Sequence, residues 1–183
     1  MVGVVIALLA HIGQGTDGLW RGIVHPLTGI DQLLAMVAVG ILAAVAADRR
    51  MVWATPGAFV SGMIIGGVLG IAGVGAGFVE TAVALSVIAL GGLIAISAIP
   101  SVRMGAWVPI IALGFGAIHG IAHGGEVPHS ASPVAYVVGF VSATIALHLS
   151  GVMIGTTIGR RPIARTMLAG AVSAAGVAIL ATL

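Results

Sequence analysis

Residues 61–77 read SGMIIGGVLGIAGVGAG, a run in which every side chain is apolar or small and none is charged. A helix needs roughly 20 consecutive apolar residues to cross the hydrocarbon core of a bilayer, and most of this run belongs to a longer apolar stretch at 54–75. Glycine recurs through it, and small residues let membrane helices approach one another closely. The run therefore predicts a membrane-spanning helix whose glycines mostly serve packing.

The rest of the chain has the same character. Of its 183 residues, 60% are hydrophobic and only 7% are charged, whereas soluble domains carry about 25% charged residues. The few charges are too sparse for a nucleic-acid surface. Cysteine is absent, which excludes disulfides, thiolate metal sites and thiol catalysis. Any metal site must use imidazole, carboxylate, thioether, amide or backbone ligands.

Six segments are long and apolar enough to span a membrane, and they lie at about 28–47, 54–75, 78–99, 106–123, 134–157 and 163–182. They are too long for barrel strands and lack period-two alternation. We therefore expect an all-α polytopic membrane protein, with a six-helix transmembrane domain at 25–183 and an extracytoplasmic segment at 1–24. Residues 1–10, MVGVVIALLA, are either a signal-peptide remnant or a short extra N-terminal helix.

The loops predict the orientation of the bundle. Six arginines, at positions 49, 50, 103, 160, 161 and 165, lie in or next to the loops after the first, third and fifth spans, and only Arg21 lies on the other side. Because cytoplasmic loops carry an excess of basic residues, these three loops are predicted to be cytoplasmic and both termini extracytoplasmic.

With that topology, ionisable side chains from several spans reach one depth near the outer surface. Intramembrane ionisable groups are expensive to bury, so their default interpretation is functional. His119 and His123 are one helical turn apart, which suits chelation of a metal ion. The predicted metal-binding set is His25, Asp31, Glu80, His119, His123 and Glu126.

The segment HPLTGID at 25–31 is expected to break the helix. Pro26 and Gly29 disfavour a regular helix, so His25 is predicted in a turn before the first span and Asp31 in the first turns of that span. A purely structural account also exists: Asp31 is then a helix cap, and the pair His119 and His123 forms hydrogen bonds between helices.

Further residues belong to a second group of candidates, namely Gln32, His11, His148 and His129. His148 lies deeper, within the fifth span, where it is either an inner relay for metal or protons or a structural interhelical bond. His129 is better explained as an interfacial hydrogen-bonding group. Tyr136, near the end of a span, is expected to be an interface anchor.

At these residues the sequence resembles the HupE/UreJ family. The family's first signature, a histidine, five residues and then Asp-His, is matched by HPLTGIDQLLAMVAVG at His25 and Asp31. The second, Phe-His-Gly-x-Ala-His-Gly-x-Glu, is matched by IHGIAHGGE from Ile118 to Glu126. Two residues depart from these signatures, because Gln32 replaces a histidine and Ile118 replaces a phenylalanine. An amide binds transition metals more weakly than imidazole does.

The resemblance implies a multi-pass protein of the bacterial inner membrane that imports a divalent transition metal, nickel first and cobalt second. The ion would be the transported substrate, and no cofactor is expected. Its partners would be this ion and the lipid bilayer, with no nucleic acid, and a homo-oligomer is compatible with the sequence. Two rival functions remain open: an intramembrane metalloenzyme, and an accessory protein that binds metal outside the membrane and transfers it to a partner.

Overall fold

The computed structural model describes residues 18–46, 48–75, 77–124, 132–159 and 161–183, and these ranges contain helices and turns but no strands. The helices are α1 (Gly18–Thr28), α2 (Ile30–Val45), α3 (Met51–Ile71), α4 (Val79–Ile96), α5 (Trp107–Gly124), α6 (Pro133–Ile158) and α7 (Pro162–Leu180). The prediction of an all-α polytopic membrane bundle is confirmed.

Five of the described helices, α3 to α7, are long and apolar enough to span a membrane. Helices α1 and α2 meet at an angle of 82° and make a sixth candidate span when they are taken together. Helix α2 alone has 16 residues, shorter than the 20 predicted for 28–47 and than the length a straight span needs. The first predicted span is therefore not one straight helix but two helices with a break between them. We call the end of the bundle where α5 ends and α6 begins its outer end, and the opposite end its inner end.

The break lies at Gly29, whose backbone is extended (φ −87°, ψ 115°). The Thr28 hydroxyl donates a hydrogen bond to the carbonyl oxygen of His25 at 2.9 Å, which closes the last turn of α1. The prediction that His25 lies in a non-helical turn is wrong, because His25 belongs to this last turn. Pro26 lies within α1, where it lacks the N–H that would continue the helical ladder, and the helix ends two residues later.

Helix α3 also differs from its prediction at both ends. It begins at Met51, three residues earlier than expected, which places Pro56 inside the helix. It ends at Ile71, four residues before the predicted limit. Gly73 and Gly75 follow with φ of 84° and 104°, a left-handed conformation that stops an α-helix and that glycine adopts without penalty.

Helix α2 lies at the centre of the bundle. Most of its residues between 35 and 43 are buried, including Met36, Val39 and Leu42, and it packs against α3, α4 and α6. The remaining helices pair mainly as α3 with α5 and α4 with α7. The polar residues of the outer end therefore surround a central helix that begins with Asp31 and Gln32.

Glycines bring the paired helices to backbone contact. On α3 they recur every fourth residue at Gly62, Gly66 and Gly70, and α5 has its own series, Gly116, Gly120 and Gly124. A methyl group at any of these six positions would overlap backbone atoms of the facing helix. These positions confirm the interpretation that the glycines serve packing. They let the backbones of α3 and α5 lie in direct contact.

Candidate metal centre

Two histidines that are 98 residues apart in the chain meet at the outer end. Nε2 of His25, on α1, lies 3.2 Å from Nδ1 of His123, on α5. Their rings are nearly perpendicular, with centroids 5.1 Å apart. Both side chains are partly buried. The break at Gly29 turns α1 across the bundle, and this turn carries His25 to the end of α5.

Gln32 joins this pair from the first turn of α2. Its side chain is buried and its carboxamide contacts Nε2 of His123. His25, Gln32 and His123 thus bring two imidazoles and one amide together from three different helices. Gln32 occupies the position at which the sequence departs from the HupE/UreJ signature, so that departure lies inside the candidate centre.

Aromatic side chains form the wall of the centre. The His25 ring lies 5.9 Å from the Tyr136 ring and 5.8 Å from the Phe140 ring, and His123 is also 5.8 Å from Phe140. Tyr136 was predicted to be an interface anchor, and this prediction is wrong, since the side chain is only 4% exposed. Its ring belongs to the wall because α1 lies across the start of α6.

Cavities flank the pair on two sides. One of about 320 Å³ is bordered by Trp20, Arg21 and His25 on the α1 side. Another of about 230 Å³ is bordered by His123, Met63 and Phe140 in the gap between α3, α5 and α6. Tyr136 borders both. The histidine pair and Tyr136 therefore separate two spaces of a size that admits a hydrated ion.

His119 lies one turn deeper than His123, with ring centroids 6.4 Å apart. The Ser86 hydroxyl donates to the carbonyl oxygen of Val83, so its oxygen is left to accept from Nε2 of His119 at 2.9 Å. Nε2 of His119 therefore carries the proton and Nδ1 keeps its lone pair. Nδ1 is buried without a hydrogen-bond partner among the described residues, which leaves this nitrogen available as a metal ligand.

The carboxylates of Asp31 and Glu80 do not join the pair of His25 and His123. Asp31 lies in the first turn of α2 as predicted, partly buried, and its carboxylate folds back towards Gly29. Glu80 lies in the first turn of α4 as predicted, but it is exposed and borders a different cavity beside Ile121 and Ala122. Within the described ranges, no group of three His, Cys, Asp or Glu residues is close enough to hold one ion.

Three predicted site residues, His11, Glu126 and His129, lie outside the described residues, as does the segment 1–10. The structure therefore assembles part of the predicted set: His25 and His123 touch, His119 lies one turn deeper, and Asp31 and Glu80 stand apart. Among the described residues, the ligands that meet at this centre are two imidazoles and one amide. They offer nitrogen and oxygen donors but no carboxylate.

Sequence reasoning missed several residues of this region. Phe59, fully buried on α3, contacts His119 and His148 with centroid distances of 5.6 and 5.3 Å. Ser86 and Phe140 were not among the predicted site residues either. Phe59 and Phe140 resemble any other apolar residue of a span, so no signal could have found them. Ser86 is a rare hydroxyl six residues after Glu80, which is a weak signal at best.

Comparisons with known proteins agree with the two signatures. A family model described as HupE / UreJ protein matches residues 1–180. The protein named Protein HupE from Rhizobium leguminosarum bv. viciae is 41% identical over 174 residues, which cover 93% of this chain and 88% of that relative. No solved structure matches the chain.

Proposed function

This chain belongs to the HupE / UreJ family, and from that premise we propose that it is a permease that imports a divalent transition metal ion. Nickel is the first candidate and cobalt the second, since the family is associated with nickel and cobalt uptake for hydrogenase and urease. The observation that carries the proposal is the meeting of His25 and His123 beside Gln32 at the outer end of a membrane bundle.

The ligand chemistry supports a transition metal. Imidazole nitrogens favour nickel, cobalt, copper and zinc over magnesium and calcium, which prefer oxygen ligands. His25, His123 and Nδ1 of His119 supply such nitrogens on two successive levels. An ion in transit must also leave its site, and the imidazole and amide ligands among the described residues suit moderate affinity.

The membrane potential supplies the driving force in this proposal. In the predicted orientation, the ion enters from the extracytoplasmic side and moves towards the negative interior. Two positive charges gain about 4.6 kcal/mol per 100 mV on that path. Uptake therefore needs no nucleotide, and the sequence has no phosphate-binding loop motif.

Uptake of radioactive nickel into proteoliposomes with an imposed inside-negative potential tests the proposal. We expect His123→Ala to reduce the initial rate about 100-fold, because losing one of few imidazole ligands removes roughly 2.7 kcal/mol of ion binding. Asp31→Asn, which removes the carboxylate nearest in sequence to Gln32, is the second variant. Ile110→Ala, at an exposed apolar position of the same α5 helix, is the matched control and should transport like the wild type.

The result that contradicts the site is unchanged transport in His123→Ala, whereas unchanged transport in Asp31→Asn would exclude only that carboxylate. Nickel binding by the wild type without any uptake would contradict the permease function itself and would favour an accessory protein that binds metal and transfers it. Repeating the assay with cobalt ranks the two ions.

A further inference from the structure

His148 is a buried histidine that the outer centre does not use. It lies on α6, roughly 22 Å along the helix from Pro133 and about 15 Å from Ile158, and therefore in the inner half of the bundle. Its side chain is 2% exposed. Neither Nδ1 nor Nε2 has a hydrogen-bond partner among the described residues.

An unpartnered imidazole in this position needs an explanation. Burying a polar group without a hydrogen bond costs on the order of 1–3 kcal/mol, and nearly all buried polar groups have a partner. If His148 served only to pack against Phe59, a leucine or phenylalanine would do so without that cost. The free nitrogens therefore point to a ligand that is not always bound.

Phe59 contacts both His148 and the outer histidine His119. Its buried ring lies 5.6 Å from the His119 ring and 5.3 Å from the His148 ring between centroids. Thr55 lies one helical turn inward of Phe59 on α3, is fully buried, and its hydroxyl also lacks a partner among the described residues. Unsatisfied polar atoms thus occur on the inner side of the Phe59 ring, on α3 and on α6.

The space next to His148 lies towards the inner end. A cavity of about 370 Å³ between α3 and α6 is bordered by His148 and by Trp53, Pro56 and Val60 of α3. The cavity beside His123 lies between the outer halves of the same two helices, next to Met63 and Phe140. His123 and His148 therefore border different cavities, and Phe59 contacts both His119 and His148.

We propose that His148 is a second, inner binding station for the transported divalent metal ion, which the ion reaches by passing Phe59. The proposal rests on the proposed function and on the predicted orientation. The station offers one imidazole nitrogen, and water that the ion retains completes the coordination. No carboxylate borders the cavity beside His148 in the described part of the chain, so the ion is held weakly and is released inward.

Uptake and binding measured on the same variants provide the first test. His148→Ala and His148→Gln should lower the initial rate of nickel uptake about tenfold, since transit then lacks its inner ligand. Nickel binding to the outer centre, followed by equilibrium dialysis, should change less than about twofold. Ser150→Ala, an exposed position two residues away, is the control. Wild-type rates in both His148 variants would overturn the proposal.

The absence of cysteine from the sequence allows a second test that does not depend on transport. His148→Cys introduces a unique thiol, which a membrane-impermeant methanethiosulfonate reagent can attack from either side of oriented vesicles. We expect modification from the cytoplasmic side, slowed by nickel. In Ser150→Cys, nickel should give no protection.

Modification of His148→Cys only from the extracytoplasmic side, or a rate unaffected by nickel, would overturn the inner station. A lack of uptake by the wild type would instead overturn the proposed permease function, while nickel protection of the thiol would still support the station. Thermal melting in detergent identifies any variant that fails to fold, and the polar His148→Gln variant is the least disruptive of the three.

Discussion

Helix α5 presents two faces of opposite character. Gly116, Gly120 and Gly124 lie against the backbone of α3, where not even a methyl group fits. His119 and His123 extend from other sides of the same helix to Ser86 of α4 and to His25 and Gln32. The glycine face holds the helix in place, and the histidine face carries the candidate metal ligands. Stability and function can therefore be altered separately on one helix.

The largest expected effect comes from breaking the contact between the glycine face of α5 and the facing glycines of α3. We expect Gly66→Ala to destabilise the protein by about 3 kcal/mol, because overpacking of a closely fitted interface costs that much and the added methyl group overlaps the carbonyl oxygen of Ala117. Thermal melting in detergent measures the effect.

Gly114→Ala is the matched control, because this α5 glycine has open space where the methyl group would lie. It should be neutral or stabilising by up to about 1 kcal/mol, since alanine favours a helix more than glycine does. Equal destabilisation by Gly66→Ala and Gly114→Ala would contradict the assignment of a close-packed face.

A smaller effect, confined to the histidine face, is expected from Ser86→Ala. The variant removes the acceptor of the His119 Nε2 proton, and loss of a group that orients a metal ligand lowers affinity or activity about tenfold. Nickel uptake should fall by this factor, and the melting temperature should fall less than in Gly66→Ala, because the variant adds only one buried polar atom without a partner, Nε2 of His119. Ser61→Ala, which removes only an exposed hydroxyl bonded within its own helix, should leave uptake unchanged.

The smallest predicted effect concerns Gln32, a residue of the centre itself. Gln32→His restores an imidazole of similar size at a buried position beside His123, and imidazole is the better ligand for nickel and cobalt. We expect nickel to bind about fivefold more tightly, or about 1 kcal/mol, as measured by equilibrium dialysis. Weaker binding of both nickel and cobalt would show that Gln32 is itself the preferred ligand.

Much of the candidate centre was visible in the sequence, but its assembly was not. The spacing of His119 and His123 predicted neighbours on one helix, and their ring centroids lie 6.4 Å apart. For His25 and His123, the sequence predicted only that both side chains lie at a common depth in the membrane. Glu80 was expected at that depth for the same reason, yet α5 presents Ile121 and Ala122 to it, away from the histidines. Depth along the membrane follows from topology, but direction around the bundle does not.

The sequence by itself determined that this is a helical membrane protein, how many spans it can form and which residues are candidates for metal binding. It did so because each backbone polar group in lipid must be satisfied within its own helix, so length and apolarity are sufficient signals. Only the tertiary structure decided which helices are neighbours. The arrangement of the helices depends on the glycine faces of α3 and α5 and on the 82° turn at Gly29. This arrangement also gives Phe59, an apolar residue, its contacts with two histidines.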